Sequence, residues 1–145
     1  MPTLPFAPLE MFAAIGFLIT LIAVIYTVIA PRVGMAALAA ALAAGFGAYT
    51  AVTIYAEGVL QVWTNQTQGL WAVQVWWDLL FAVGLAMFLI MPRARAQGMN
   101  LPLWTLFVVG TASIGLLAMA ARLFWLENQA AVESGAEKGE AAKPA

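Results

Sequence analysis

Four long apolar segments dominate this chain and restrict the folds open to it. They cover residues 9–30, 35–56, 70–91 and 101–125. Each reaches the length of about 20 residues that an α-helix needs to cross roughly 30 Å of hydrocarbon. The pattern therefore predicts an all-α membrane protein, a four-transmembrane-helix bundle with short loops.

The composition agrees with a membrane location. Of the 145 residues, 64% are hydrophobic and 9% are charged, whereas soluble domains average about half and about a quarter. The size allows one transmembrane domain, residues 1–126. The residues that follow, 127–145, are rich in Ala, Glu, Lys and Gly, which predicts a disordered tail.

Charge and missing residue types exclude several functions. The net charge of −1 offers no basic surface for nucleic acid. The chain has no cysteine and no histidine, which excludes disulfides, iron–sulfur clusters and histidine-ligated metals. We therefore expect no metal and no covalent cofactor, while a bound lipid, quinone or carotenoid stays open.

The arginines predict the orientation in the membrane. Arg32 lies in the first connection, at a Pro-Arg-Val-Gly breaker, and Arg93 and Arg95 lie in the third. Four crossings place these three arginines on one face, which the positive-inside rule assigns to the cytoplasm. We expect a multi-pass protein of the bacterial inner membrane with both termini in the periplasm.

Asp78 is the most informative residue of the sequence. It lies eight residues after the start of the third segment, about 12 Å below the outer boundary at 1.5 Å per residue. A charge at the centre of a membrane helix costs about 2.5–3.5 kcal/mol. Arg122, about one turn from the outer end of the fourth segment, is the expected partner. The pair is either a structural clasp, a ligand, lipid or proton site, or a contact with another subunit.

Other polar and aromatic residues fall on stripes that converge toward the outer side. Helical spacing groups Gln74 with Asp78, and Tyr49 with Glu57. Such stripes could build a polar pocket, with Trp77 lining a flat cavity for a ring-bearing or isoprenoid ligand. The candidate ligand or clasp residues are Asp78, Arg122, Gln74, Trp77, Tyr49 and Glu57, and any catalysis would use Asp78 with Glu57.

Small residues recur along the second segment. Ala36, Ala40, Ala44 and Ala48 are spaced by four, and small residues at this spacing let membrane helices approach closely. The stripe predicts internal packing or a docking face for another subunit or a second copy.

One resemblance covers the second half of the chain. Asp78 opens a hydrophobic helix, the basic connection 93–99 ends in Gly-Met, and residues 123–127 (LFWLE) close the last helix. Over 78–127 the chain resembles a family of small bacterial four-helix membrane proteins of unknown function. The resemblance implies a four-helix bundle, singles out Asp78 and implies no reaction. The first helix lacks the basic start expected of that family.

Three classes of function follow. The first is a non-catalytic accessory or stabilising subunit of a larger bacterial membrane complex: respiratory, photosynthetic or transport. The second is a small protein that handles lipids or isoprenoids, including a cyclase- or isomerase-like enzyme with an intramembrane carboxylic acid. The third is a proton-coupled or transport component, which would need to oligomerise.

Overall fold

A computed structural model describes residues 8–29 and 34–141, which form six α-helices. The chain divides into two compact units, residues 1–34 and 35–145. The first unit contributes α1, and the second contributes the other five. The helices are α1 (Pro8–Ile29), α2 (Ala36–Glu57), α3 (Gln61–Thr67), α4 (Leu70–Ala96), α5 (Leu101–Thr111) and α6 (Ser113–Ala141).

The described part of the first unit consists of the 22-residue helix α1 and Gly34. Glu10 lies in the first turn of α1, where a carboxylate favours the positive end of the helix dipole. Of the breaker predicted at 31–34, Gly34 is described and has a φ of +102°, a backbone conformation that suits glycine. Arg32 lies outside the described residues.

Two helices of the described chain, α2 and α4, are long and apolar enough to cross a membrane. The prediction of an all-helical chain is confirmed, since the described residues outside the helices are turns and connections without strands. The prediction of four such helices is not. In α1 the apolar stretch is Ala13–Tyr26, and the fourth predicted helix is divided between α5 and α6.

The end of α4 lies five residues beyond the predicted one, because Pro92 is accommodated inside the helix. A Schellman motif ends it instead. The Gly98 N–H donates to the carbonyl of Arg95, and the Met99 N–H donates to the carbonyl of Ala94. Gly98 has a φ of +66°, and Met99 and Ala94 are both buried, as is frequent in this motif.

The fourth apolar segment is a helical hairpin, so the prediction of one continuous helix over 101–125 is wrong. Asn100 caps α5, its side chain accepting the Leu103 N–H at 3.3 Å. The chain then reverses at Ala112, which has φ 48° and ψ −116°. These angles resemble the first central position of a type II′ turn, where glycine is usual. No proline marks this reversal.

Gly115 shows how closely α6 returns along α5. A Cβ atom there would lie 2.6 Å from Thr111 Oγ1, 2.8 Å from the Phe107 oxygen and 2.8 Å from Val108 Cα. In one continuous helix, residues 107 and 115 would be about 12 Å apart along the axis. The hydrophobic core of the unit forms at this hairpin and at the end of α4, and contains Ala94, Met99, Val108, Met119 and Leu123.

On its other side α6 packs along α2, the largest helix–helix interface described. A Cβ on Gly47, near the middle of α2, would lie 3.8 Å from Ile114 at the start of α6. Ala39 is buried in the first half of α2. The predicted stripe is therefore not the packed one, since Ala40, Ala44 and Ala48 are all exposed.

The segment predicted as a disordered tail continues α6 to Ala141. Its composition explains the difference. Few apolar residues led to the prediction of disorder, but Ala, Glu and Lys are also among the residues with the highest helix propensity. Residues 142–145 lie outside the described chain.

Candidate functional site

Asp78 lies on an exposed side of α4. Gln74 and Trp77 are exposed beside it, and the Trp77 ring meets Phe81 edge to face with centroids 6.1 Å apart. In the described part of the chain, the Asp78 carboxylate has no ion pair or hydrogen bond. An unpaired carboxylate therefore lies beside exposed aromatic side chains, with Gln74 as a polar neighbour.

Arg122 does not meet Asp78. Its guanidinium carbon lies 4.3 Å from the centre of the Trp125 ring, within α6, a cation–π contact of about 0.5–1 kcal/mol at an exposed site. The hairpin explains the separation, since it carries α6 back to the end of α4. Asp78 lies about four helical turns before Arg93, or roughly 22 Å along the axis of α4. The predicted clasp is thus not formed between these two described residues.

Glu57 and Tyr49 lie on exposed parts of α2. Glu57 is the last residue of that helix, and the four residues 54–57 are all exposed. The Tyr49 carbonyl accepts the Thr53 hydroxyl at 3.0 Å. Of the polar residues expected to line a pocket, Gln74, Asp78, Tyr49 and Glu57 are all exposed rather than enclosed. Their role as a ligand site stays a prediction.

A bidentate ion pair joins the end of α4 to α6. Arg93 Nε donates to Glu127 Oε1 at 2.9 Å, and Nη2 donates to Oε2 at 2.6 Å. The guanidinium also lies 5.4 Å from the centre of the Phe124 ring. A single helix over 101–125 would put Arg93 and Glu127 on opposite faces of the membrane. The sequence gives no sign of this pair, because residues 34 positions apart show no local pattern.

Metal-binding clusters and buried polar side chains are both absent from the described residues. No group of three or more His, Cys, Asp or Glu side chains among them is placed to hold a metal ion. No polar or charged side chain in this part of the chain is buried. No protein-family model, curated protein or solved structure matches the chain. The resemblance over residues 78–127 stays a prediction.

Proposed function

We propose that this chain is a non-catalytic accessory or stabilising subunit of a larger bacterial membrane complex. In this proposal α1, α2 and α4 cross the inner membrane. Arg93 and Arg95, at the end of α4, lie on the cytoplasmic side according to the positive-inside rule. The apolar length of α2 and α4 supports the crossing of these two helices. The crossing of α1 rests on the sequence pattern, because the apolar stretch of its 22 residues is Ala13–Tyr26.

The exposed carboxylate of Asp78 is the observation on which the subunit role depends. Around it, the side chains of Trp77 and Phe81 are 59% and 70% exposed. Facing lipid, such an ionised group would cost about 2.5–3.5 kcal/mol. A partner helix that presents an Arg or Lys side chain to this surface would remove that cost and cover the aromatic rings. Arginine and aromatic residues are also enriched in the centres of protein interfaces.

The fold also supports a structural rather than a catalytic role. An acid that protonates an alkene or epoxide needs an enclosed apolar pocket, which raises its pKa and excludes water. Asp78 and Glu57 both lie on exposed surfaces. Handling of a lipid or isoprenoid therefore has less support here than docking to another chain.

The test is affinity purification of the tagged chain from its native membrane in mild detergent, with the accompanying chains identified by mass spectrometry. Asp78→Leu should weaken the association at least about tenfold, because it leaves the partner's charge unpaired. The thermal stability of the Asp78→Leu chain should not fall, since Asp78 has no partner among the described residues of this chain. Glu57→Gln, at an exposed helix end, is the matched control and should keep the partners.

Three outcomes would overturn the proposal. The first is a wild-type chain that purifies alone, and an absorption band above the tryptophan region would then favour a bound carotenoid or quinone. The second is a set of partners that Asp78→Leu retains in full. The third is a complex made only of copies of this chain, which would replace the accessory role by a homo-oligomer.

A further inference from the structure

We infer that residues 101–127 enter and leave the membrane on the same face, as a re-entrant helical hairpin formed by α5 and the first half of α6. This inference rests on the membrane location proposed above. It replaces the fourth crossing expected from the sequence and moves the C-terminal end of the described chain to the face that carries Arg93 and Arg95.

The length of α5 is the first support. Its 11 residues extend about 16 Å, close to half of the roughly 30 Å hydrocarbon thickness. The chain then reverses at Ala112 and returns along α5, as the contacts of Gly115 with Phe107 and Val108 require. A helix that turns back at this depth does not reach the opposite face.

The position of the hairpin tip against α2 is the second support. Ile114 follows the reversal directly and lies against Gly47, near the middle of the 22-residue α2. A helix that crosses the bilayer from end to end has its middle at the midplane. The tip therefore lies near the centre of the membrane.

The ion pair of Arg93 with Glu127 is the third support. Its two hydrogen bonds of 2.9 and 2.6 Å hold the returning end of the hairpin beside the end of α4. These two residues are therefore at the same membrane surface. Both side chains keep some exposure, 45% for Arg93 and 29% for Glu127, which suits a pair at the interface with water.

Part of the backbone at the tip is paired within the protein, which lowers the cost of placing the reversal in lipid. The Ala112 N–H donates to the Val108 carbonyl at 2.6 Å, and the Ala112 carbonyl accepts the Leu116 N–H at 3.0 Å. The Thr111 hydroxyl donates to the Phe107 carbonyl at 2.7 Å. The reversal thus satisfies the polar groups of its central residue internally.

The absence of cysteine from the sequence makes the inference directly testable with single-cysteine variants. Three exposed positions are chosen for the variants Ala96→Cys, Gln129→Cys and Asn65→Cys. Each variant is labelled with a membrane-impermeant maleimide, once in intact spheroplasts and once in inverted vesicles. Ala96→Cys and Gln129→Cys should react from the same side, and Asn65→Cys from the opposite side.

The labelling separates the two proposals. The hairpin would be overturned if Gln129→Cys reacted from the same side as Asn65→Cys, with Ala96→Cys reacting from the other. The proposed membrane location would then still stand. Asn65→Cys and Ala96→Cys reacting from one side would mean that α4 does not cross, which would overturn both.

Cross-linking in the native membrane gives an independent measurement. Arg93→Cys combined with Glu127→Cys should cross-link with a short bis-maleimide at several-fold higher yield than Arg95→Cys combined with Glu127→Cys. Residues 93 and 95 are about 200° apart around α4, so only the first pair faces α6. Equal yields, or no product from the first pair, would contradict the hairpin.

Discussion

Gly115 provides the sharpest test of the hairpin, because a single methyl group there meets backbone atoms that cannot move independently. In Gly115→Ala the new Cβ would lie 2.8 Å from both the Phe107 oxygen and Val108 Cα. Overpacking of this kind costs about 1–3 kcal/mol. The higher helix propensity of alanine returns up to about 1 kcal/mol. With the full gain, the net loss in the free energy of unfolding is about 0–2 kcal/mol, which is about 1–3 kcal/mol below a glycine-to-alanine change without overpacking.

Gly110→Ala is the matched control, since Gly110 lies on α5 and a methyl group added there would have nothing within 4 Å. This variant should leave stability unchanged or raise it by up to about 1 kcal/mol. Unfolding of both variants in detergent, followed by far-UV circular dichroism, measures the difference. Equal stabilities, or a more stable Gly115→Ala, would refute the close approach of α6 to α5.

Five further substitutions test the same unit. Arg93→Gln should lower the free energy of unfolding by up to about 1 kcal/mol, the range of a partly exposed ion pair, and Arg95→Gln should change it less; the two are compared by thermal unfolding in detergent. Ala112→Gly should raise stability by about 1 kcal/mol, because glycine adopts a φ of 48° without the strain of a side chain; a lower melting temperature would contradict this. The Met119 side chain is 0% exposed, and Met119→Ala should lower the free energy of unfolding by about 2–5 kcal/mol. Leu106 is 71% exposed, and Leu106→Ala should lower it by about 0.5 kcal/mol or less. Similar losses for the two variants in denaturant titrations would place Met119 outside the core.

Apolar run length predicted much of the helical content. The second segment, expected at 35–56, is a helix at Ala36–Glu57, and α4 begins at the predicted residue Leu70. Run length is informative here because polar or glycine-containing connections flank both helices. Run length gave the wrong result for the last segment. The reversal there lies at Thr111, Ala112 and Ser113, and these residues only weakly reduce the apolar character and the helix propensity of the segment.

The candidate site was less accessible to sequence reasoning. The depth of Asp78 follows from counting along one helix, but its partner depends on how distant helices pack. The single-helix prediction put Arg122 on the side of Asp78, whereas the reversal at Ala112 carries it away. Gly110 and Gly115 flank the turn and were the available signal, because the close return of α6 requires a residue without a side chain at Gly115.

The hairpin also has a mechanical consequence for the bilayer. In the inferred topology, the unit of residues 35–141 places four helices in the leaflet next to the arginines and only α2 and α4 in the other. Each helix with its side chains is about 10 Å wide, so the unit is a wedge, broader in one leaflet. A wedge of this orientation relieves lateral pressure best where the membrane bulges toward the arginine-bearing face, and residues 35–141 should therefore favour membrane of that curvature.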